Sequence, residues 1–512
     1  VRVDDFITAP AVVVGSGIAG LSTALALDGC VVVSGGATGD GASRLAQGGI
    51  AAAVGPGDSP ALHAADTIGV AAGLAVPDVV SRVTEAAPAR IEALAEAGVA
   101  FDTGPGGTLA LGREAGHRCH RIVHAGGDRT GAAVMRVLTA AAQGRPDVRL
   151  LEGYRLVDLL TSGACAAGVL LEGADGTRLA VIAPRVVLAT GGIGACFAHT
   201  TNPASSQGAG LATAARLGLR LVDLEFMQFH PTALAVPGDP QPLLTEALRG
   251  AGAVLLDDAG RRFMPGFHPD AELAPRDVVA RAVAALRGAG REVFLDATAV
   301  RELGQRFPGA VAIARAAGFD PSRVPLPVAA AAHFHMGGIA TDADGATSLP
   351  GLWACGEAAC TGLHGGNRLA SNSLLEGLVF GERIARAMRV FGIPRLRGRL
   401  EAPRRPGLPS ADAARLGALR RLVESGLGPL RSGPAMADAR ARIAGWRAES
   451  RAEEDIALVA GLMLESALER RESRGAHFRS DYPVAGGVAA RRFVVPTATA
   501  VESLDPARSR VA

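Results

Sequence analysis

The stretch His364-Gly-Gly-Asn-Arg-Leu-Ala-Ser-Asn-Ser-Leu-Leu-Glu376 gathers polar side chains that the rest of the chain uses sparingly. Only three asparagines occur, Asn202, Asn367 and Asn372, and two of them sit here beside Arg368, Ser371 and Ser373. Glycines, then a polar cluster, then an apolar run read as a loop entering a buried helix. The start of a helix offers unpaired N–H groups and partial positive charge, which suits an anion or an electron-accepting ring.

Further polar groups stand in apolar surroundings: His230 and Thr232, Thr245-Glu246, Arg276-Asp277, and His333-Phe-His335. Singly, each reads as a satisfied structural group. Together, Arg276, Arg368, His230, His333 and Thr245 fit a pocket for a small dianion, because guanidinium forks carboxylates and His and Thr add donors. A second dense segment is Gly112-Arg-Glu-Ala-Gly-His-Arg-Cys-His-Arg-Ile-Val-His124. His117, His120 and His124 have a spacing that suggests a metal, but Arg118 and Arg121 between them would repel a cation. No metal is expected. Glu114 reads either as an ion-pair partner of Arg113, Arg118 or Arg121, or as part of the chemistry.

The elements that must position these groups begin with a short apolar strand at residues 11–14. Gly15-Ser-Gly-Ile-Ala-Gly20 follows, then a helical run and a second strand at 31–33. Strand, glycine turn and helix form the βαβ opening of a dinucleotide-binding sheet. The acidic residue expected at the end of the second strand is replaced by Ser34-Gly35. Ala46-Gln-Gly-Gly-Ile50 reads equally as a flexible loop or as backbone lying along a bound dinucleotide. Thr190-Gly191-Gly192 and Gly356-Glu357 each follow a strand and add plausible cofactor contacts.

Helices are expected over 78–98 and 131–143, and strands over 154–160, 166–171 and 179–189. From 224 to 334 the pattern changes to proline-punctuated pieces, which indicates an inserted domain. Pro403 to Pro409 reads as a linker, and 411–425, 434–448 and 451–471 as a terminal helical bundle. The fold class is therefore α/β: a doubly wound Rossmann-like domain (1–223 and 335–402), an inserted α+β capping domain (224–334) and a C-terminal helical domain (403–512).

The 512 residues, with a net charge of +2, give no electrostatic reason to expect nucleic acid or a membrane surface. Every basic residue besides histidine is arginine, so Schiff-base chemistry and a Walker A lysine are excluded. Six scattered cysteines form no CxxC pair. No apolar run approaches the roughly 20 residues of a membrane helix, and no signal pattern opens the chain; the expected location is the cytoplasm.

Taken in order, these blocks resemble the succinate dehydrogenase/fumarate reductase flavoprotein superfamily, and within it the L-aspartate oxidase family, from about residue 11 to residue 380. The resemblance implies FAD, with contacts from Gly15, Ser16, Gly17, Ala19 and Gly20 at the first turn and Ser34 after it. Ser43, Arg44, Leu45, Ala46, Gln47, Gly48 and Gly49 would follow in the next loop. Thr190, Gly191 and Glu357 would add contacts from two strand ends, and Asn372, Ser373 and Leu374 from the late helix. Respiratory relatives attach FAD through a histidine before the Gln-Gly-Gly; residues 28–62 here contain none, so the cofactor should be held non-covalently.

The resemblance implies that Glu114 faces the substrate's amino group and that Arg276 is the proton-transfer residue, with a relay through Glu246 or Asp277 left open. Arg368 and His333 would bind one carboxylate, His230 and Thr245 the other, with Glu246 and Ser371 completing the pocket. The implied reaction is L-aspartate to iminoaspartate, with oxygen (giving hydrogen peroxide) or fumarate as acceptor. It would feed NAD synthesis via quinolinate, with functional coupling to quinolinate synthase. A soluble fumarate reductase or succinate dehydrogenase flavoprotein is the alternative, and an RNA-modifying or scaffold flavoprotein a remoter one. The chain departs from the family where Gly-Asp-Gly becomes Gly208-Ala209-Gly210, at Gly35, and where Tyr-Thr-Cys becomes Phe334-His335-Met336.

Overall fold

A computed structural model describes residues 5–392, 399–403, 411–487, 489–498 and 501–504. Its centre is a five-stranded parallel sheet in the order Leu352–Ala354, Val186–Leu188, Val12–Val14, Cys30–Ser34, Val148–Glu152. The three middle strands are buried at every position, as their unbroken valine-rich runs require of a sheet covered on both faces. The expected strand over 179–189 is two. Arg178–Ile182 belongs to a second, mixed sheet with Cys165–Gly173 and Tyr154–Ser162, while Val186–Leu188 enters the parallel one. Pro184 lies between them, where its fixed φ and missing N–H end a ladder.

Two helices share one hydrophobic core with the parallel sheet and pack directly on each other. Ile18–Ala26 follows the first strand, and Asn372–Val390 carries the late polar cluster at its start. Their approach is set by missing side chains. A Cβ at Gly377 would lie 2.8 Å from Ile18 Cγ2, and one at Gly381 would lie 2.7 Å from Ser22 Cβ. Gly15, at φ +115°, comes so near the neighbouring strand end that a Cβ would meet Ala189 O at 2.0 Å.

An antiparallel sheet in the order Met227–Leu234, Leu326–His335, Val293–Asp296, Val254–Asp257 lies between the two halves of the nucleotide-binding sequence. Helix Arg276–Gly288 packs on Met227–Leu234 and so brings Arg276, its first residue, to that strand. The terminal helices are Ala413–Leu427, Gly433–Ala444 and Arg451–Glu469, each capped by a side chain: Asp412, Ser432 and Ser450 accept from the backbone N–H three residues on. Pro403 ends a strand, Leu400–Pro403, rather than opening a linker; the remainder of that expected linker lies outside the described residues. Among the described residues no helix is long and apolar enough to cross a membrane.

The bundle is joined to the mixed sheet through a buried ion triad. Arg216 Nε donates to Asp158 Oδ2 at 3.0 Å and Nη1 to Asp455 Oδ1 at 2.7 Å, with Nη2 on Thr213 Oγ1 at 3.1 Å. Arg216→Ala leaves two carboxylates buried without their shared cation. Removing one partner of a buried pair costs about 3–5 kcal/mol, so urea midpoints should fall accordingly. A loss under about 1 kcal/mol, the worth of an exposed pair, would show the triad to be dispensable.

Candidate active site

A cavity of about 530 Å³ runs beneath the starts of both packed helices. One part is lined by Ser34, Gly35, Tyr154, Arg155, Leu156 and Arg451, and another by Gly15, Ser16, Gly17, Ala19 and Ser43. Leu45, Ala46, Gln47, Gly48, Gly49, Thr190, Gly191, Glu357, Ser373 and Leu374 also reach its wall. Three expected cofactor contacts do not. Gly20 is needed for packing, since a Cβ there would sit 1.9 Å from Gly15 O. Arg44 faces outward and pairs with Asp40. The Asn372 side chain turns into the protein, where its amide meets His63 Nε2 at 2.8 Å and Thr67 Oγ1 at 3.0 Å.

The eight expected catalytic and substrate residues, Glu114, His230, Thr245, Glu246, Arg276, His333, Arg368 and Ser371, all line the cavity. They come from six separate segments. Arg276 Nε pairs closely with Glu246 Oε2. The carboxylate's other oxygen lies 3.4 Å from Arg249 Nη2, without hydrogen-bond geometry. Arg368 lies with its guanidinium carbon 4.6 Å from the centre of the Phe334 ring, so the phenylalanine at that departure from the family pattern supports the cation from one side. Arg368 Nε has no partner among the described residues.

Glu114 accepts from Ser371 Oγ at 2.7 Å. It is not paired with its neighbouring arginines: Arg118 and Arg121 are engaged by Asp58 and Asp66 instead. Asp277 is turned away from the cavity, accepting from Asn367 Nδ2 at 2.9 Å and Arg281 Nη1 at 2.7 Å. His120 Nδ1 and His117 Nε2 each meet a main-chain carbonyl, Leu111 O and Ala370 O.

Burial and charge set the protonation states. His230 and His333 are pushed well below the usual imidazole value by burial and then by the Arg276 guanidinium, so both rings are neutral. Thr232 N donates to His230 Nδ1 at 3.3 Å, which leaves Nε2 to carry the proton. The rings stand 5.0 Å apart, edge to face. Burial, and then the negative charge of Glu246, raise Glu114. Glu246 is held low because Arg276 and Arg249 together outweigh its burial. Burial followed by the nearby Arg276 charge brings Arg368 down to about 9. Glu357, buried and accepting from His335 N at 2.9 Å, rises to about 7.

Sequence reasoning passed over Gln228 and Arg249. The Gln228 amide donates to Asn367 Oδ1 and Arg368 O, both at 2.9 Å, and accepts from Arg276 Nη1 at 3.2 Å. It thus ties the Arg276 side chain to the main chain at Arg368. Arg249 is wholly buried beside Glu246. The available signal was a Glu246-x-x-Arg249 pair in apolar surroundings, two charges one helical turn apart with no solvent face to serve.

The chain matches the family model described as FAD binding domain over residues 11–374, and that of the fumarate reductase flavoprotein C-terminus over 448–493. It is 47% identical over 484 residues to an L-aspartate oxidase of Mesorhizobium japonicum, covering 92% of this chain and 91% of that one. Against an L-aspartate oxidase of Streptomyces coelicolor the identity is 44%, covering 96% and 91%. Among solved structures, the E. coli quinol fumarate reductase FrdA superposes with a TM-score of 0.86 at 27% identity, covering 98% and 97%. A second quinol-fumarate reductase structure gives 0.87 at 26%, covering 98% of both chains. The chain therefore belongs to the L-aspartate oxidase family of FAD-binding flavoproteins.

Proposed function

We propose that this protein catalyses the FAD-dependent oxidation of L-aspartate to iminoaspartate, the first step of NAD synthesis via quinolinate. Oxygen, giving hydrogen peroxide, or fumarate takes the electrons onward. The observation that carries the reading is a buried carboxylate, Glu114, facing a dianion pocket of two arginines. A dicarboxylate substrate without an amine would only be repelled by it. The enzyme works in the cytoplasm, with quinolinate synthase consuming the unstable imine.

The residues present fit the cofactor. The Gly15–Ser16–Gly17 turn opens onto the start of helix Ile18–Ala26, where free N–H groups suit a pyrophosphate. Thr190 Oγ1, buried at the cavity wall, has no partner among the described residues. Gly17 has only Ser43 Oγ within 3.2 Å of where a Cβ would stand, so backbone and ligand can approach closely. The loss of an aspartate at Ala209 removes one side-chain contact but leaves this cradle intact. When bound, FAD takes up the two electrons and the hydrogen released from the substrate's α-carbon.

The chain's own groups do the rest. Arg368 and His333 bind one carboxylate, and His230 and Thr245 the other; neutral imidazoles donate from nitrogen without adding charge. Glu114 draws the α-amino group to its side of the cavity and, with its affinity for protons raised, accepts one from the ammonium. The freed nitrogen lone pair can then form the C=N bond as the C–H bond breaks. Arg276 stabilises the dianion and, against fumarate, delivers a proton that Glu246 helps replace. Holding a rigid dianion in one orientation supplies much of the rate.

The central test is anaerobic bleaching of the yellow holoenzyme. L-Aspartate should bleach it and succinate should not; the reverse would make it a dicarboxylate dehydrogenase. Acid precipitation should release all FAD into the supernatant, since the Gly41-Ala-Ser-Arg-Leu45 segment offers no histidine. Colour left in the pellet would reveal a covalent bond.

Arg276→Leu and Arg368→Leu should each reduce turnover about 30-fold to a few thousandfold, the equivalent of about 2–5 kcal/mol for a buried charged contact. Near-normal aspartate oxidation would remove that residue from the site. Glu114→Gln should lower kcat/KM for aspartate about 10- to 100-fold, as losing a hydrogen bond to a charged group costs about 1.5–3 kcal/mol. Fumarate reduction, with no amine to read, should fall far less. Equal losses would sink the amine-reading role.

A further inference from the structure

Glu114 owes its place to groups that never touch the cavity. Helix Pro60–Val70 buries His63, Asp66 and Thr67 on one face. Asp66 Oδ2 accepts from Arg118 N at 3.0 Å and Arg121 Nη1 at 2.7 Å. Arg121, with no exposed surface, also forks Asp58 through two bonds of 2.8 Å. Its Nη1 stands 3.4 Å from His117 Nδ1. A guanidinium only donates, so Nδ1 accepts and Nε2 carries the ring proton. Nε2 then donates to Ala370 O at 3.0 Å. Burial brings His117 down to about 4, which keeps the ring neutral and this direction of donation fixed.

Ala370 precedes Ser371, and Ser371 is held at φ +62°, a left-handed conformation that costs a non-glycine residue about 1–2 kcal/mol. Its hydroxyl donates to Glu114 Oε2 at 2.7 Å. The circuit closes on the main chain, where His117 N donates to Glu114 O at 3.2 Å. The same helix grips the next residue, since His63 and Thr67 hold the Asn372 amide. One buried element therefore fixes both sides of the Glu114–Ser371 contact.

We infer that His117 is a positioning residue for Glu114: through Ala370 and Ser371 it sets where that carboxylate meets the substrate's amino group, and so sets the preference for an amino dicarboxylate. This rests on the amine-reading role of Glu114. The strained turn at Ser371 supports it. Without the His117 bond to Ala370, that turn loses a restraint, and the hydroxyl no longer has one required direction.

The test uses FAD-loaded His117→Leu, His117→Gln, Glu114→Gln and the double variant of Glu114→Gln with His117→Leu. kcat/KM for aspartate oxidation and for fumarate reduction are measured alongside melting temperature. His117→Leu should shift the aspartate-to-fumarate ratio about tenfold toward fumarate, one hydrogen bond's worth. Added to Glu114→Gln it should move the ratio little further, because the two act on one contact. His117→Gln should recover most of the ratio, since its amide can accept from Arg121 and donate to Ala370 O.

An unchanged ratio in His117→Leu, with both activities and melting temperature falling together, would overturn the inference and leave Glu114 its role. An unchanged ratio in Glu114→Gln would instead overturn the amine-reading role, and the inference with it. If His117→Leu does not fold, Ser371→Ala breaks the same chain at the cavity wall. It must shift the ratio in the same direction for the inference to stand.

Discussion

Two buried guanidinium groups, Arg276 and Arg368, line one cavity, and like charges away from bulk solvent repel strongly. Most of the surrounding architecture answers that repulsion. Glu246 sits against Arg276, the Gln228 side-chain oxygen accepts from Arg276, and the Phe334 ring faces Arg368. Both site histidines give up their protons rather than add to the charge. The compensation is deliberately incomplete. Arg368 keeps an unpartnered nitrogen, and Glu246 keeps an oxygen without a hydrogen bond. On the proposed reading, a substrate carboxylate supplies the acceptor that the Arg368 nitrogen lacks.

That charge distribution also explains why the carboxylate beside Ser371 differs from the one beside Arg276. Glu246 is surrounded by cations and is held ionised. Glu114 is raised, first by its burial and then by the charge of Glu246, which the cations do not offset. Environments that push two carboxyls in opposite directions are how one pocket can contain both an electrostatic support and a proton acceptor.

Local patterns revealed what depends on local geometry. Glycine before a helix, valine runs and serine caps act within a few residues, so the first βαβ unit and the terminal helices were legible from spacing. The arginines and histidines of the pocket were legible because charged groups in apolar surroundings need a reason. What escaped depends on direction. Asn372 and Ser373 are adjacent in the same polar cluster, yet successive helical side chains diverge by about 100°, so one meets the cavity and the other faces His63. Gly20 packs against the backbone of Gly15 and does not line the cavity. Gln228 went unnominated because its partners, Arg276, Asn367 and Arg368, are 48 to 140 residues away, and nothing in its neighbourhood in sequence announces them. Pro184 could have warned that one expected strand was two.

The cavity wall extends from Val14 to Asp455, drawing on the first glycine turn, the antiparallel sheet and the start of helix Arg451–Glu469. During synthesis the early βαβ unit emerges long before Arg451, Ala452 and Asp455, which complete that wall. The complete wall thus exists only once nearly the entire polypeptide has been made, and a chain cut short before residue 451 lacks part of it.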